Sequence, residues 1–464
     1  MKVKVPHVLV ILFAMVIIAA IATYVVPAGR YNRVKGPEGR TVVDPTSFRF
    51  TSRSPVGLFG VFEAVPKGLT DAGMISFTIF IIGGTWEVIY ATGAITAGVR
   101  RIMESLEDRE ILLIPLLMVI FGIISAIIGA AELAIVYMPV VLPLCRALGF
   151  DSMTAAGVVL ASTCAAFSAT LTNPFSVGLS QQIAGLPLYS GLGYRLIVLI
   201  CFMAVTIVYV MRYAFRVRAN PALSLTKEED AARGRLEITS MADQEAIRAN
   251  PRHTVVGLIL LGGFAFMIYG VLRLKWFMTE IGAVFFLVAV LAAIFGRLGL
   301  SRAAEEFSKG AAGVTLAALV VGFARAIVVV VEQGNIIDTI VWALARLVQN
   351  LPATITALGL LVAILLLEFV VPSASGKALI TMPIMIPLAD IVGVTRQTAV
   401  LVYQLGDGLC NICYPIEGST MAVLSMAGIP YEKWLKFIMP LVALWFAMGS
   451  VFLFIAQAIK WGPF

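Results

Sequence analysis

The sequence predicts an all-α polytopic membrane protein of about nine spans plus two re-entrant hairpins, built from two inverted repeats. Three observations carry that expectation. Only 13% of the 464 residues are charged while 60% are hydrophobic, roughly half the charged fraction of a soluble domain. Apolar runs long enough to cross a ~30 Å hydrocarbon core recur along the chain. The pattern of one half, prolines and glycines included, returns in the other.

Taken in order, the first run covers about Val8 to Val26 behind Lys2 and Lys4. Its uninterrupted length suits a retained span better than a cleaved leader. A polar loop extends from about Pro27 to Asp71, with a short surface helix expected near Val56 to Pro66. The next apolar segment, about Ala72 to Val99, ends in the charged turn RRIMESLEDRE. From Ile111 to Gly149 the chain is apolar but carries Gly129, Ala130, Ala131 and Glu132 at its middle, which predicts two short helices around a small-residue tip. The segment from Met153 to about Ile183 breaks at Asn173-Pro174, because proline removes helical hydrogen bonds. A span at about Tyr194 to Met211 follows. The mixed-charge stretch from about Arg212 to Arg252 reads as a linker. Two spans, about Thr254–Leu272 and Trp276–Phe295, lead into the second half. The expected units are 1–55 (first span and loop), 56–214 (repeat 1), 215–252 (linker), 253–296 (two scaffold spans) and 297–464 (repeat 2).

The repeat is legible in the letters. ELAIVYMPVVLPLCRALGF from Glu132 aligns with GKALITMPIMIPLADIVGV from Gly376, matching Met138-Pro139 to Met382-Pro383, Pro143 to Pro387 and Gly149 to Gly393. AGLPL at Ala184 matches AGIPY at Ala427, and Asn173-Pro174 falls near Tyr414-Pro415. Each repeat holds a full span, a hairpin that returns to its own side, a broken span and a final span, an odd number of crossings. The paired scaffold spans between them return to the same side, so the repeats are expected to be inverted, as in many secondary transporters. The cluster Arg212, Arg216 and Arg218 favours an N-terminus in the cytoplasm. The basic residues from Arg30 to Lys67 count against it.

A charge retained inside a bilayer costs about 2.5–3.5 kcal/mol on insertion scales, so each is a functional candidate. The candidates are Glu87, Glu132, Arg325, Glu332, Glu368, Lys377, Asp390, Asp407 and Glu417. Glu332 and Asp390 fall near span ends, where a headgroup-level role is the better reading. Glu87 and Arg325 suit a structural ion pair as well as a transport role. At the second hairpin, Ser373, Ser375, Gly376 and Lys377 make a small-residue turn and a helix start expected at Gly376. Unpaired N–H groups there suit a carboxylate. Glu132 occupies the equivalent place at the first tip, with Leu133 opposite Lys377. The broken helices add Thr170, Thr172 and Asn173 on one side, and Asp407, Asn411, Glu417 and Ser419 on the other. Substrate contacts are expected from Glu132, Thr172, Asn173, Ser373, Ser375, Gly376, Lys377, Asp407, Asn411, Glu417 and Ser419. Ion coupling is expected from Thr170, Asn173, Asp407 and Asn411, with Na⁺ and H⁺ both open.

Other classes find less support. The net charge of +7 lies in inter-span loops, which suits anionic lipid headgroups rather than nucleic acid. Cys410 and Cys413 form a lone CxxC, and His7 and His253 stand at span starts, so neither a metal, a cofactor nor a catalytic group is expected. Leu405–Gly408 faintly resembles the Gly-Asp of membrane aspartyl proteases, but that chemistry needs a second carboxylate sharing its proton, and no partner Asp lies in a comparable apolar segment. No P-loop or HExxH is present.

The opening VPHVLVILFAMVIIAAIATYVVPAGRY, VVPSASGKALITMPIMIPLADIVGV and QLGDGLCNICYPIEGSTMAVLSMAGIPY resemble the anaerobic C4-dicarboxylate carrier (DcuC) family. They are most similar to its YfcC-type branch, labelled a basic amino acid antiporter. The resemblance implies the ion-transporter superfamily fold of two hairpins and two broken helices. It also implies elevator-type motion, a homodimer around the stationary spans, hairpin tips as the substrate site and a bacterial inner-membrane location. The Ser-Asn-Thr tips of that group's dicarboxylate carriers are replaced here by GAAEL and SASGK. Those tips count against a dicarboxylate, and Glu132, Glu368, Asp407 and Glu417 around a single Lys377, with the branch's label, favour an amino acid, basic above all, over a C4-dicarboxylate or other organic anion.

The orientation has a direct check. Cysteines placed in the Arg30–Arg53 loop are expected to react with an impermeant reagent from outside, and those between Arg216 and Arg248 only from inside. The reverse labelling would remove the orientation while leaving the repeat intact.

Overall fold

The computed structural model describes residues 7–36, 41–95, 97–98, 101, 112–129, 131–232, 250–274, 276–349 and 352–462. Most of the charged turn at 100–110 and much of the expected linker, 233–249, lie outside these residues. The first span is α1 (Val8–Val25). The loop after it is not shapeless: Gly29–Arg30 pairs with Arg49–Phe50, and Arg33–Lys35 with Thr41–Val43, as two short antiparallel ribbons. The surface helix starts where expected but runs further, as α2 (Leu58–Asp71), and α3 (Gly73–Ala91) follows directly.

The first hairpin is α4 (Leu113–Ile128) and α5 (Leu133–Ala147). The first broken helix is α6 (Ser152–Ser168), containing a wider turn at Gly157–Ala161, and α7, which starts at Pro174–Gly178 and continues as Leu179–Ile183. Repeat 1 closes with α8 (Leu192–Ala219). The scaffold pair is α9 (Pro251–Leu274) and α10 (Met278–Phe295). Repeat 2 comprises α11 (Leu300–Gly313), α12 (Thr315–Gln333), α13 (Ile337–Val348), the hairpin arms α14 (Ala353–Glu368) and α15 (Ala374–Val392), the broken helix α16 (Arg396–Asn411) and α17 (Gly418–Ala427), and α18 (Tyr431–Ala458). Among the described residues eight helices are long and apolar enough to span. One of them, α15, instead turns back as a hairpin arm. The remaining seven and the two broken helices make the nine crossings expected.

Matching elements have matching lengths: α2 and α11 hold 14 residues, α3 and α12 hold 19, and α8 and α18 hold 28. Gly149 and Gly393 end the second hairpin arms at φ of +78° and +79°, and Gly185 and Gly428 end the broken helices at +68° each. These left-handed positions explain why glycine recurs there. The two halves are also interlocked, because α2 packs on α12 and α11 on α3. Those crossings are tight. A Cβ at Gly68 would lie 2.5 Å from the Gly322 carbonyl oxygen, and one at Gly310 only 2.2 Å from that of Gly83. Small residues let membrane helices approach this closely.

Side-chain contacts establish the inversion. Arg396, opening α16, donates to the Ala184 carbonyl just past α7 (2.8 Å), while α17 packs on the start of α6. The broken helices are therefore antiparallel. The final spans run likewise: Tyr194 donates to the Phe452 carbonyl (2.6 Å), the Trp445 indole to Thr206 (2.9 Å), and Tyr209 to the Phe437 carbonyl.

Each end of the bundle has its own closure. At one, the ribbons pack on α13 through Arg33–Asp338 (3.0 Å) and the Phe48–Trp342 stack. At the other, residues 221–232 dock against the start of α6 and do not hang free as a linker. Asp151 accepts from Tyr213 (2.6 Å) and Ser224 (2.7 Å), and Asp230 from Arg146 (2.9 Å) and the Ser152 amide and hydroxyl. Burial would raise the Asp230 pKa, but the bonds from Ser152 and Arg146 outweigh it and hold the carboxyl below its usual value.

Two stability predictions follow from this packing. Gly310→Ala is expected to force α11 off α3 and lower the melting temperature in detergent, since overpacking costs about 1–3 kcal/mol. A depressed carboxyl stabilises above its unfolded pKa and loses that contribution as pH falls through the folded value. Asp230→Asn is therefore expected to cost about 1–3 kcal/mol at pH 7. Its deficit against the parent should shrink as the melting measurement is taken below about pH 4.

Candidate transport site

The site is built where helices stop. In hydrocarbon every backbone group needs an internal partner, and at each break side chains supply one. The Thr170 hydroxyl donates to the Ala126 carbonyl (2.7 Å) and that of Thr172 to Ile127 (3.0 Å), satisfying the end of α4. Asn173 caps α7 by accepting from the Phe175 and Ser176 amides, and its Nδ2 donates to the Gly129 carbonyl. On the other side Thr420 donates to the Asn411 carbonyl (2.6 Å) and Trp434 to that of Ile412 (2.8 Å). Between the breaks, α6 and α16 cross with almost no gap: a Cβ on Gly408 would lie 2.4 Å from Ser168 Cα. Gln404 locks the crossing by donating to the Phe167 carbonyl (2.6 Å).

Around this crossing lies a cavity of about 460 Å³. Both hairpin tips reach it, Gly129, Ala131 and Glu132 from the first and Pro372, Ser373, Ala374 and Ser375 from the second. The broken helices contribute Phe167, Phe175, Asp407, Asn411, Glu417 and Ser419. Seven of the expected substrate residues thus share one wall system: Glu132, Ser373, Ser375, Asp407, Asn411, Glu417 and Ser419. Thr170, Thr172, Asn173, Gly376 and Lys377 are not among the residues that line it.

The position of Lys377 follows from where the helix begins. The Ser373 hydroxyl accepts from the Gly376 amide (3.2 Å), so α15 starts at Ala374, two residues before the expected Gly376. That shift leaves the first amides facing the cavity and sends Lys377 into the protein. Its side chain is 1% exposed, its Nζ touches Glu368 and lies 2.8 Å from Asp407 Oδ1, and the Tyr403 ring is 6.0 Å away. Tyr403 in turn donates to the Ala374 carbonyl, fastening the tip to α16. Asp407 Oδ2 and Asn411 Oδ1, both buried, have no hydrogen-bond partner among the described residues.

Asp71 and Arg325 also line the cavity, 3.5 Å apart. From the sequence, Asp71 is expected at the end of a loop and Glu87 as a partner of Arg325. Arg325 instead reaches Asp71 and, at 3.8 Å, Glu332. Glu87 lies against α11 at Gly310, with Glu306 and Lys309 as its charged neighbours. Asp390 pairs with Arg396 at an exposed surface (2.8 Å), which suits the headgroup role expected of it.

The sequence pattern of the C4-dicarboxylate anaerobic carrier family (DcuC) matches residues 5–458. YfcC of Escherichia coli (strain K12), provisionally named a basic amino acid antiporter, is 33% identical over 97% of this chain and 96% of its own. An uncharacterized protein of Haemophilus influenzae is 27% identical over 98% of this chain and 97% of its own. The YdaH transporter of Alcanivorax borkumensis, a solved structure, is 15% identical with a TM-score of 0.42, covering 99% of this chain and 100% of that one.

Asp407→Asn is expected to reduce transport at least about tenfold, a 1.4 kcal/mol effect or more, with the protein still monodisperse in detergent. Glu87→Gln, at a helix crossing away from the cavity, should shift the melting temperature or do little. Wild-type transport by Asp407→Asn would move the centre elsewhere.

Proposed function

The chain belongs to the C4-dicarboxylate anaerobic carrier family and is a multi-pass membrane transporter, and from that premise we propose what it carries. Our reading is a secondary active carrier, an antiporter or ion-coupled symporter, for a small carboxylate-bearing solute in the bacterial inner membrane. A basic amino acid is the favoured cargo. The observation that carries this is the charge of the cavity wall. Glu132 and Glu417 face the space with no cationic partner among the described residues, and Ser419 alone donates to Glu417 (2.9 Å). Like charges at low dielectric repel strongly, so a doubly negative ligand would add to an existing excess.

A ligand with one carboxylate and a cationic group matches both poles of the cavity. The exposed first turn of α15 at Ser373–Ser375 offers amides and the positive end of a helix dipole to the carboxylate. Glu132, Glu417 and the open oxygen of Asp407 suit a guanidinium or ammonium. YfcC's provisional name agrees with this cargo. The second reading, a C4-dicarboxylate, is favoured by Arg325 in the wall, but Asp71 and Glu332 already engage it. We place Asp407, Asn411, Thr170 and Asn173 at the coupling step, the N-terminus in the cytoplasm, and two copies in a homodimer surrounded by lipid.

Counterflow in proteoliposomes decides the cargo. Arginine, ornithine or lysine loaded inside is expected to drive uptake of labelled arginine at least about tenfold above empty vesicles. Counterflow with succinate or fumarate, and none with the amino acids, would overturn the reading.

A further inference from the structure

The buried cluster behind the second hairpin tip shares Asp407 with the proposed cargo site, whereas its Glu368 and Lys377 have no part in that reading. Glu368 and Asp407 converge on one point from α14 and α16, and their side chains are 2% and 1% exposed. Two carboxylates brought together out of water demand a cation between them. In carriers of inverted-repeat design, that place beside a broken helix is where an inorganic coupling ion is held. Here it is filled from within the chain. The Lys377 ammonium touches Glu368 and sits 2.8 Å from Asp407 Oδ1.

We infer that Lys377 is a tethered cation standing in for a coupling Na⁺, so the carrier works without Na⁺. The inference deepens the proposed function and rests on it for the meaning of the site. An ammonium is a compact charge with three donors on a flexible stem. It can therefore meet both carboxylates where a metal ion would need oxygen ligands on every side. Asp407 belongs to both halves of the arrangement. Its Oδ1 faces Lys377, whereas its Oδ2, with Asn411 Oδ1, has no hydrogen-bond partner among the described residues and lies at the cavity wall. A cationic group on the solute can engage Oδ2 while Lys377 holds Oδ1. When the solute leaves, Lys377 keeps Asp407 and Glu368 compensated, and no Na⁺ need enter from solution. The same geometry ties occupancy to the hairpin: Lys377 lies in the first turns of α15, and Tyr403, whose ring it faces, donates to Ala374 at the tip. The first repeat has no counterpart, because Leu133 stands in the equivalent place.

The test uses purified full-length protein with NaCl, KCl or choline chloride at matched ionic strength. Melting temperatures need no substrate and so separate this inference from the cargo reading. The parent should melt at the same temperature in all three salts, within about 1 °C, and exchange its counterflow solute at rates within twofold. Folded Lys377→Ala, with both carboxylates uncompensated, should be stabilised by Na⁺ over choline by several degrees and should lose at least about tenfold in exchange in choline. Lys377→Gln, which keeps the side-chain length, serves if the alanine variant does not fold. Three results would overturn the inference. They are a parent stabilised by more than about 1 °C or accelerated more than twofold by Na⁺, a lysine variant that exchanges at the parental rate in choline, and a folded variant with no preference for Na⁺.

Discussion

Where α6 passes α16, Ser168 lies against Gly408 with no room for a Cβ between them, and both helices end within a few residues. That crossing fixes everything around it. Unwound backbone is tolerated at membrane depth only where protein groups satisfy it, so each break draws in a hairpin. Thr170 and Thr172 bind the end of α4, and Tyr414 donates to the Leu365 carbonyl of α14 (3.1 Å). The hairpin tips are thus held at the crossing by the same bonds that make the breaks possible. The cavity is what remains between four chain ends that cannot close on one another.

The charge distribution follows from that geometry. Helix starts at Ser373 and Asn173 point positive dipole ends toward the middle of the molecule, while carboxylates enter from Glu132, Asp407 and Glu417. Lys377 is spent internally on Glu368 and Asp407 and neutralises little of the wall. A site with this balance discriminates by the number of negative charges a solute brings. The packing of α2 on α12 and α11 on α3 supplies a rigid frame on which such a site can be carried.

Much of the architecture was legible because its signals are steric. Pro139, Pro143, Pro383 and Pro387 mark hairpin arms, and Gly149, Gly185, Gly393 and Gly428 mark left-handed ends. These residues are placed by backbone needs that hydropathy does not imitate. What escaped were elements defined by a partner. The helix α11 carries Arg302, Glu305, Glu306 and Lys309, so its polar composition hid a helix that α3 makes necessary. Asp71 looked like loop because its role appears only when Arg325 arrives from the other repeat. The direction of Lys377 depended on a helix start displaced by two residues, which turned a residue expected at the cavity into one behind it. Pairings across the repeats leave no local trace in either half.

The central claim is that the transported solute occupies the cavity between the two tips. Ser375, on the cavity side of α15, offers the most direct reading through Ser375→Cys in an otherwise cysteine-free protein. Its alkylation rate by a small thiol reagent should fall at least about fivefold at saturating concentration of whichever solute the protein exchanges. A cysteine in the Arg30 loop should react unchanged. A solute that is transported yet leaves alkylation at Ser375→Cys unaltered would contradict the account.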